Sequence, residues 1–272
     1  MGKDLIIQTF NNKAAIVTGA SSGIGKAICY ELAKYNARLV LAARRIDLLE
    51  ELAKGLNPVE AFPCPTDVTD TEAVRALVEK SISKYGQVDY LFNCAGSFTA
   101  GGLGDLSEET ITGMMDLNYL GTVRCIKAVV PVMQQQGNGH IINLSSLLGK
   151  FVMPGSTAYS ASKFAIAGFS KALRRELKYS GINLTVIYPG FVYTPMVCAH
   201  LDSVQNSILY RTTANYPPEK AAKAILKAVS KRKNELIIPA QNIMAAYLYA
   251  LMPGPMESMI GKLCGGWPHY KC

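Results

Sequence analysis

The run Tyr159-Ser160-Ala161-Ser162-Lys163 sets a phenol and an ammonium four residues apart, where a helical pattern begins. Residues at i and i+4 share a helix face, so the two groups can meet. A free tyrosine titrates near pH ~10 and is a poor proton donor or acceptor at neutrality. A neighbouring lysine cation, helped by the positive ring of an oxidised nicotinamide, favours the phenolate and is expected to lower that pKa. Taken alone, the five residues fit an unremarkable exposed pair equally well. The residues upstream shift that balance. The apolar run Ile141–Leu144 ends in Ser145-Ser146, which places hydroxyls at the carboxyl edge of a sheet, where open α/β sheets bind ligands. Ser146 can donate to a carbonyl oxygen as negative charge builds there.

A second constellation lies near the start. Thr18-Gly19-Ala20-Ser21-Ser22-Gly23-Ile24-Gly25 follows an apolar run and precedes an amphipathic stretch. Glycines here permit a tight turn, close approach of backbone to a pyrophosphate and close helix–strand packing. A helix opening near Gly23 would aim free N–H groups and its positive dipole end at phosphates. The glycine spacing differs from the Gly-x-Gly-x-x-Gly of the commonest dinucleotide folds, and no Gly-x-x-x-x-Gly-Lys-Ser/Thr occurs, which argues against NTP hydrolysis. After the second apolar run comes Leu41-Ala42-Ala43-Arg44-Arg45, with no acidic residue to accept from a ribose 2′-OH. A guanidinium instead pairs with a 2′-phosphate, so Arg44 favours NADP(H) over NAD(H). Lys26, just beyond the loop, reads as a solvated helix residue.

The elements that must hold these groups alternate along the chain. Strand candidates are Ala14–Thr18, Arg38–Ala42, Glu60–Pro63, Tyr90–Asn93, Ile141–Leu144, Asn183–Tyr188 and Glu235–Ile238. Amphipathic stretches such as Lys26–Asn36, Thr71–Tyr85, Glu108–Gln136 and Ala161–Tyr179 lie between them. Strand, helix, strand at this spacing predicts right-handed crossovers and a doubly wound parallel α/β sheet of Rossmann type, about seven strands with helices on both faces. Continuous apolar runs such as Ala15-Ile16-Val17 suit a sheet buried on both sides. No repeat or polar linker divides residues 1–272, so a single domain is expected. Periodicity blurs between Val197 and Pro218. Residues 240–272 form an apolar extension broken by Pro253, Gly254 and Pro255. Its stretch Ile243–Met252 is too short to span a bilayer, and reads as a helix packed on its own domain or a second subunit, or as a contact with membrane or a greasy substrate.

Composition bounds the remaining classes. Of 272 residues 49% are hydrophobic and 18% charged, enough for a large core and against disorder. The net charge of +8 admits an anionic ligand. The basic cluster Lys231, Arg232 and Lys233 reads as a solvated helix end, so no nucleic-acid partner is expected. Seven cysteines without a C-x-x-C pair, and three scattered histidines, suggest neither a disulfide framework nor a metal site. Met1 to Asn12 lacks signal-peptide character, and a cytoplasmic setting, with at most peripheral membrane contact, is the expectation.

Read in order, the Thr18–Gly25 loop, Asp67-Val68, Asn93-Cys94-Ala95-Gly96, Asn118, Ser146, Tyr159-x-x-x-Lys163 and Pro189-Gly190 leading to Thr194 closely resemble the short-chain dehydrogenase/reductase family, in its short single-domain branch. The matches cover roughly two-thirds of the chain. The resemblance implies that Thr18, Gly19, Ser21, Ser22, Gly23, Ile24 and Gly25 bind the dinucleotide, that Asp67 and Val68 contact the adenine, and that Asn93, Ala95 and Gly96 shape the cleft. It implies catalysis by Asn118, Ser146, Tyr159 and Lys163. Asn118 would hold a water in a proton relay through Lys163, Ser146 would orient substrate, Tyr159 would be the acid/base, and Lys163 would bind the nicotinamide ribose. Pro189, Gly190, Val192 and Thr194 would hold the carboxamide. The family's thirteen-residue separation of serine and tyrosine selects Ser146 over Ser145. Cys94 departs from the usual Asn or small residue, and no chemistry is drawn from it. Substrate specificity would lie in a lid, 195–218, and in the extension, 240–272. Their apolar character suits a hydrophobic, lipid-like ketone or its alcohol. Dimers or tetramers are implied. Two other readings remain: a catalytically idle cofactor-binding sensor or interaction module, and an isomerase, epimerase or dehydratase that uses the same cofactor without turnover. The intact catalytic set opposes the first, and the glycine spacing opposes the second.

Overall fold

Apolar runs buried on both sides need a parallel sheet flanked by helices, and that is how this chain folds. The computed structural model describes residues 2–199 and 216–263. The strands are β1 (Ala14–Thr18), β2 (Arg38–Ala43), β3 (Ala61–Pro65), β4 (Tyr90–Asn93), β5 (Gly139–Leu144), β6 (Ile182–Pro189) and β7 (Glu235–Ile238). They pair in parallel in the order β3-β2-β1-β4-β5-β6-β7. Every residue of β1 and β5 is buried. The strand order reverses between β1 and β4, so the loops leaving their carboxyl ends diverge and open a crevice.

Helices α1 (Gly2–Phe10), α2 (Gly23–Ala33), α3 (Ile46–Gly55) and α4 (Thr71–Tyr85) come first. They are followed by α5 (Glu108–Met115), α6 (Gly121–Gln136), α7 (Thr157–Glu176), α8 (Pro195–Cys198), α9 (Pro218–Ser230), α10 (Asn242–Leu251) and α11 (Pro253–Leu263). One core joins Val74, Leu77, Val129, Met133 and Ala167, from α4, α6 and α7, to one face of the sheet. The other joins Phe10, Ile28, Leu32, Leu49, Leu52 and Ile225, from α1, α2, α3 and α9, to the opposite face.

Two departures from the sequence expectations have physical causes. The stretch Glu108–Gln136 is not one helix. It breaks at Asp116–Leu120 into a π turn, where the Gly121 N–H reaches back to the Asp116 carbonyl. The Thr122 hydroxyl donates to the Asn118 carbonyl at 2.8 Å across that turn. β3 runs to Pro65 rather than ending at Pro63, because an edge strand paired only with β2 tolerates prolines that lack ladder donors. The last regular helices start and stop at the prolines: α10 ends before Pro253 and α11 opens on it. No helix among the described residues is long and apolar enough to cross a membrane. Met244, Tyr247 and Leu251 of α10 are 71%, 63% and 78% exposed. Most of the expected lid, residues 200–215, and the end of the extension, 264–272, lie outside the described residues.

Candidate active site

The glycine loop owes its path to backbone that side chains would block. Gly19 and Gly23 have φ of +65° and +55°, and a Cβ on Gly19 would lie 2.8 Å from the Ala95 nitrogen. Thr18 sits beneath the loop, with its Oγ1 accepting from the backbone N–H groups of Cys94 at 3.1 Å and Ala95 at 3.2 Å. It thereby joins the ends of β1 and β4 without lining the cleft. Ser22, extended at the start of α2, gives that helix no side-chain cap. Helix-terminal amides free of a side-chain acceptor suit a phosphate, so this end fits a dinucleotide.

The cleft passes Ser21, Ser22, Gly23, Ile24 and Gly25, then Arg44, Asp67 and Val68 on one side, and Ala95, Gly96, Ser146, Tyr159 and Lys163 on the other. Pro189, Gly190, Val192 and Thr194 close its far wall. A Cβ on Gly23 would lie 3.2 Å from the Thr194 methyl, so the loop and this segment almost touch across the groove. Arg45, not singled out from sequence, also lines the cleft and donates to the Ser21 hydroxyl at 3.2 Å. The signal was present in the doubled arginine of Arg44-Arg45. Burial opposes ionisation of Asp67. Hydrogen bonds from Thr69 and the charges of Arg44 and Arg124 outweigh it and hold the carboxyl below its usual range.

At the other end three side chains converge. Tyr159 lies in the first turn of α7, with Lys163 Nζ 5.5 Å from its ring centre and the edge of Phe98 against it at 4.9 Å. Lys163 Nζ donates to the Leu144 carbonyl at 3.1 Å. The two adjacent serines have different tasks. Ser145 donates its hydroxyl to the Lys163 carbonyl at 2.8 Å, bracing α7. Ser146 stands at the cleft beside the tyrosine and accepts the Leu148 N–H at 3.1 Å.

In the chain by itself, burial dominates the electrostatics of this pair. Burial pushes Tyr159 up to about 12, opposed by its hydrogen bond with Ser146. Burial also pulls Lys163 down to about 8, with neighbouring Cys94 opposing. The lysine that was to acidify the phenol is itself desolvated. The Cys94 thiol is likewise pushed up by burial.

Asn118 and Asn93 are inside the protein, not on the cleft wall. Asn118 is 0% exposed and sits in the π turn. Its Oδ1 accepts the Ser97 N–H at 2.8 Å, and its Nδ2 donates to the Ser97 carbonyl and the Ser162 hydroxyl, both at 3.0 Å. Asn93 donates to Asn143 Oδ1 at 2.9 Å, tying β4 to β5. Among the described residues no group of His, Cys, Asp and Glu is placed to hold a metal ion.

Comparisons with known proteins follow the same lines. Residues 13–204 match the family model of the short chain dehydrogenases. An uncharacterized oxidoreductase of Staphylococcus haemolyticus is 41% identical over 68% of this chain and 80% of its own length. A dehydrogenase/reductase SDR family member 7B of Bos taurus is 33% identical over 89% of this chain and 78% of its own. A crystal structure of a short chain dehydrogenase/reductase from Burkholderia phymatum, in complex with NAD, superposes with a TM-score of 0.81 at 23% identity, covering 97% of this chain and 98% of that one. The fold is therefore shared, and with the family match over most of the chain, this protein belongs to the short-chain dehydrogenase/reductase family of oxidoreductases.

Proposed function

We propose that the protein is an NADP(H)-dependent carbonyl reductase or alcohol dehydrogenase acting on a hydrophobic substrate. The observation that carries this reading is a single cleft with a phosphate-type glycine loop and two arginines at one end, and Tyr159, Ser146 and Lys163 at the other. A bound nicotinamide supplies or takes the hydride at the carbon. The chain's own groups handle the oxygen and the proton. The Ser146 hydroxyl donates to the substrate oxygen and orients it, and the Tyr159 phenol delivers its proton there as charge accumulates. A phenol pushed up to about 12 keeps its proton at neutrality, which suits an acid in the reductive direction. Lys163 holds the ribose and, when charged, favours the phenolate left behind.

Two features support the remaining specifics. Arg44 and Arg45 line the cleft beyond β2, and a guanidinium suits a 2′-phosphate; Arg45 donates to Ser21 beside the glycine loop. Phe98 against the tyrosine, with Met196 and Val197 at the cleft, gives the reacting end an apolar lining. A screen of NADPH oxidation over hydrophobic ketones, aldehydes, sterols and long-chain keto compounds tests the activity. With an active carbonyl, Tyr159→Phe is expected to keep cofactor affinity and lose turnover by about a thousandfold or more. Unchanged NADPH consumption refutes the role of Tyr159. Fluorescence titration is expected to show tighter binding of NADPH than NADH, and Arg44→Asp to reverse the order. Equal affinities in the wild type count against NADP(H).

A further inference from the structure

We propose that Ser162 is a positioning residue for the proton-transfer pair, fastening the Asn118 amide to the helix that carries Tyr159 and Lys163. The inference rests on the functional reading just given. Ser162 is 0% exposed, and its hydroxyl donates to the Tyr159 carbonyl at 2.7 Å while accepting from Asn118 Nδ2 at 3.0 Å. One hydroxyl thus joins the backbone of the acid/base residue to a side chain of the π turn.

The Asn118 amide is the point where three chain segments meet. Its Oδ1 and one Nδ2 proton clasp both backbone groups of Ser97, in the segment that leaves β4. Its second Nδ2 proton goes to Ser162 on α7. An amide nitrogen has two protons to give, so this one is fully spent within the protein. The clasp borders the lysine. A Cβ on Gly96 would lie 2.9 Å from Asn118 Oδ1 and 3.6 Å from Lys163 Nζ, so Gly96 is the thin partition between the two. Asn118 lies in the π turn, and its carbonyl accepts the Thr122 hydroxyl at 2.8 Å. Ser162 ties the side chain of this turn to the helix that carries Tyr159 and Lys163.

Removing the hydroxyl strands a buried amide proton and frees Asn118 to turn toward Ser97 alone. The wall beside Lys163 then loosens, its ammonium is held less well against Tyr159, and the phenolate loses stabilisation. Among the described residues, the titratable group facing the pair from another element is Cys94, at the end of β4. Phe98 and Ser146 provide the other contacts to the phenol.

The test uses the full chain labelled with 13Cζ-tyrosine, saturated with NADP⁺ and titrated by NMR, with the Tyr159 signal identified by its loss in Tyr159→Phe. In the wild type, NADP⁺ is expected to lower the Tyr159 pKa. In Ser162→Ala that pKa stays higher by about half a unit or more, and kcat for a carbonyl found in the screen falls about tenfold with cofactor affinity within about twofold. Asn118→Ala gives a shift of the same sign, and the double variant gives no more than the larger single one. Ser170→Ala is the control for a merely structural role. Ser170 is an equally buried hydroxyl on the same helix, accepting an amide from Asn143 at 2.8 Å. It is expected to lower Tm similarly and leave the Tyr159 titration at the wild-type value. A wild-type titration curve in Ser162→Ala, an equal shift in Ser170→Ala, or additive shifts in the double variant overturns the proposal. A wild-type Tyr159 that does not respond to NADP⁺ overturns the functional reading, and this inference with it.

Discussion

Buried ionisable side chains set how the protein alone responds to pH. Lys163 falls from an ordinary 10.5 to about 8 through burial, so between these values the unfolded chain binds more protons than the native one. Stability therefore rises with pH across that window. Tyr159 rises from 10.0 to about 12, and its contribution is lost as pH climbs between those values. Denaturant titrations of the cofactor-free protein should show wild type gaining on Lys163→Met from about pH 8 to about 10.5, by on the order of 3 kcal/mol at most. A constant difference across the window would mean that the lysine is not desolvated. The chemistry-bearing residues were readable from type and spacing, because a phenol, a lysine and a glycine loop announce themselves. The direction of the tyrosine shift was not. Spacing reports that Lys163 is near, but not that the same burial takes charge from both partners. Spacing to the tyrosine singles out Ser146, but it gives no task to Ser145. Only the contact of Ser145 with the Lys163 carbonyl shows that one hydroxyl braces α7 while its neighbour faces the cleft.

Elements succeed or fail by how tightly they meet. The turn Leu147–Gly149 presses on α7 with so little room that a Cβ on Gly149 would lie 2.7 Å from the Lys163 carbonyl oxygen and would also collide with Ser145 Oγ. Gly149→Ala is expected to cost about 1–3 kcal/mol of stability and to lower kcat by moving the catalytic helix. Unchanged kcat with unchanged Tm would show that the turn yields freely. Most elements follow from pattern. β1, β4 and β7 have the bounds that their apolar runs predict, because each run is short and hydrophobic through its middle. The π turn does not follow from pattern, because Asp116-Leu117-Asn118-Tyr119-Leu120 continues the amphipathic rhythm on either side. It is made by tertiary bonds, Asn118 to Ser97 and Ser162, that no local window contains. The Arg45–Ser21 contact is hidden for the same reason, since it joins loops from two strands.

At the scale of the whole molecule, the reversal of strand order between β1 and β4 turns a buried sheet into a binding device. The glycine loop, the arginines, Asp67, Ser146 and Thr194 lie just beyond the carboxyl ends of the strands, and Tyr159 and Lys163 lie in the first two turns of α7, so the sheet sets the separation between the arginines and the tyrosine. Gly23 and Thr194 come close together across the groove of that device. If a dinucleotide passes this gap on its way to Tyr159, a carbonyl seated first would stand in its path. On that path, binding is expected to be ordered, with cofactor as leading reactant and last product to depart. Product-inhibition kinetics should find NADP⁺ competitive against NADPH and noncompetitive against the carbonyl, and a random pattern would show that the gap opens freely. On this scheme, the narrowness of one glycine makes the enzyme's rate answer to the cell's ratio of reduced to oxidised nicotinamide before it answers to substrate supply.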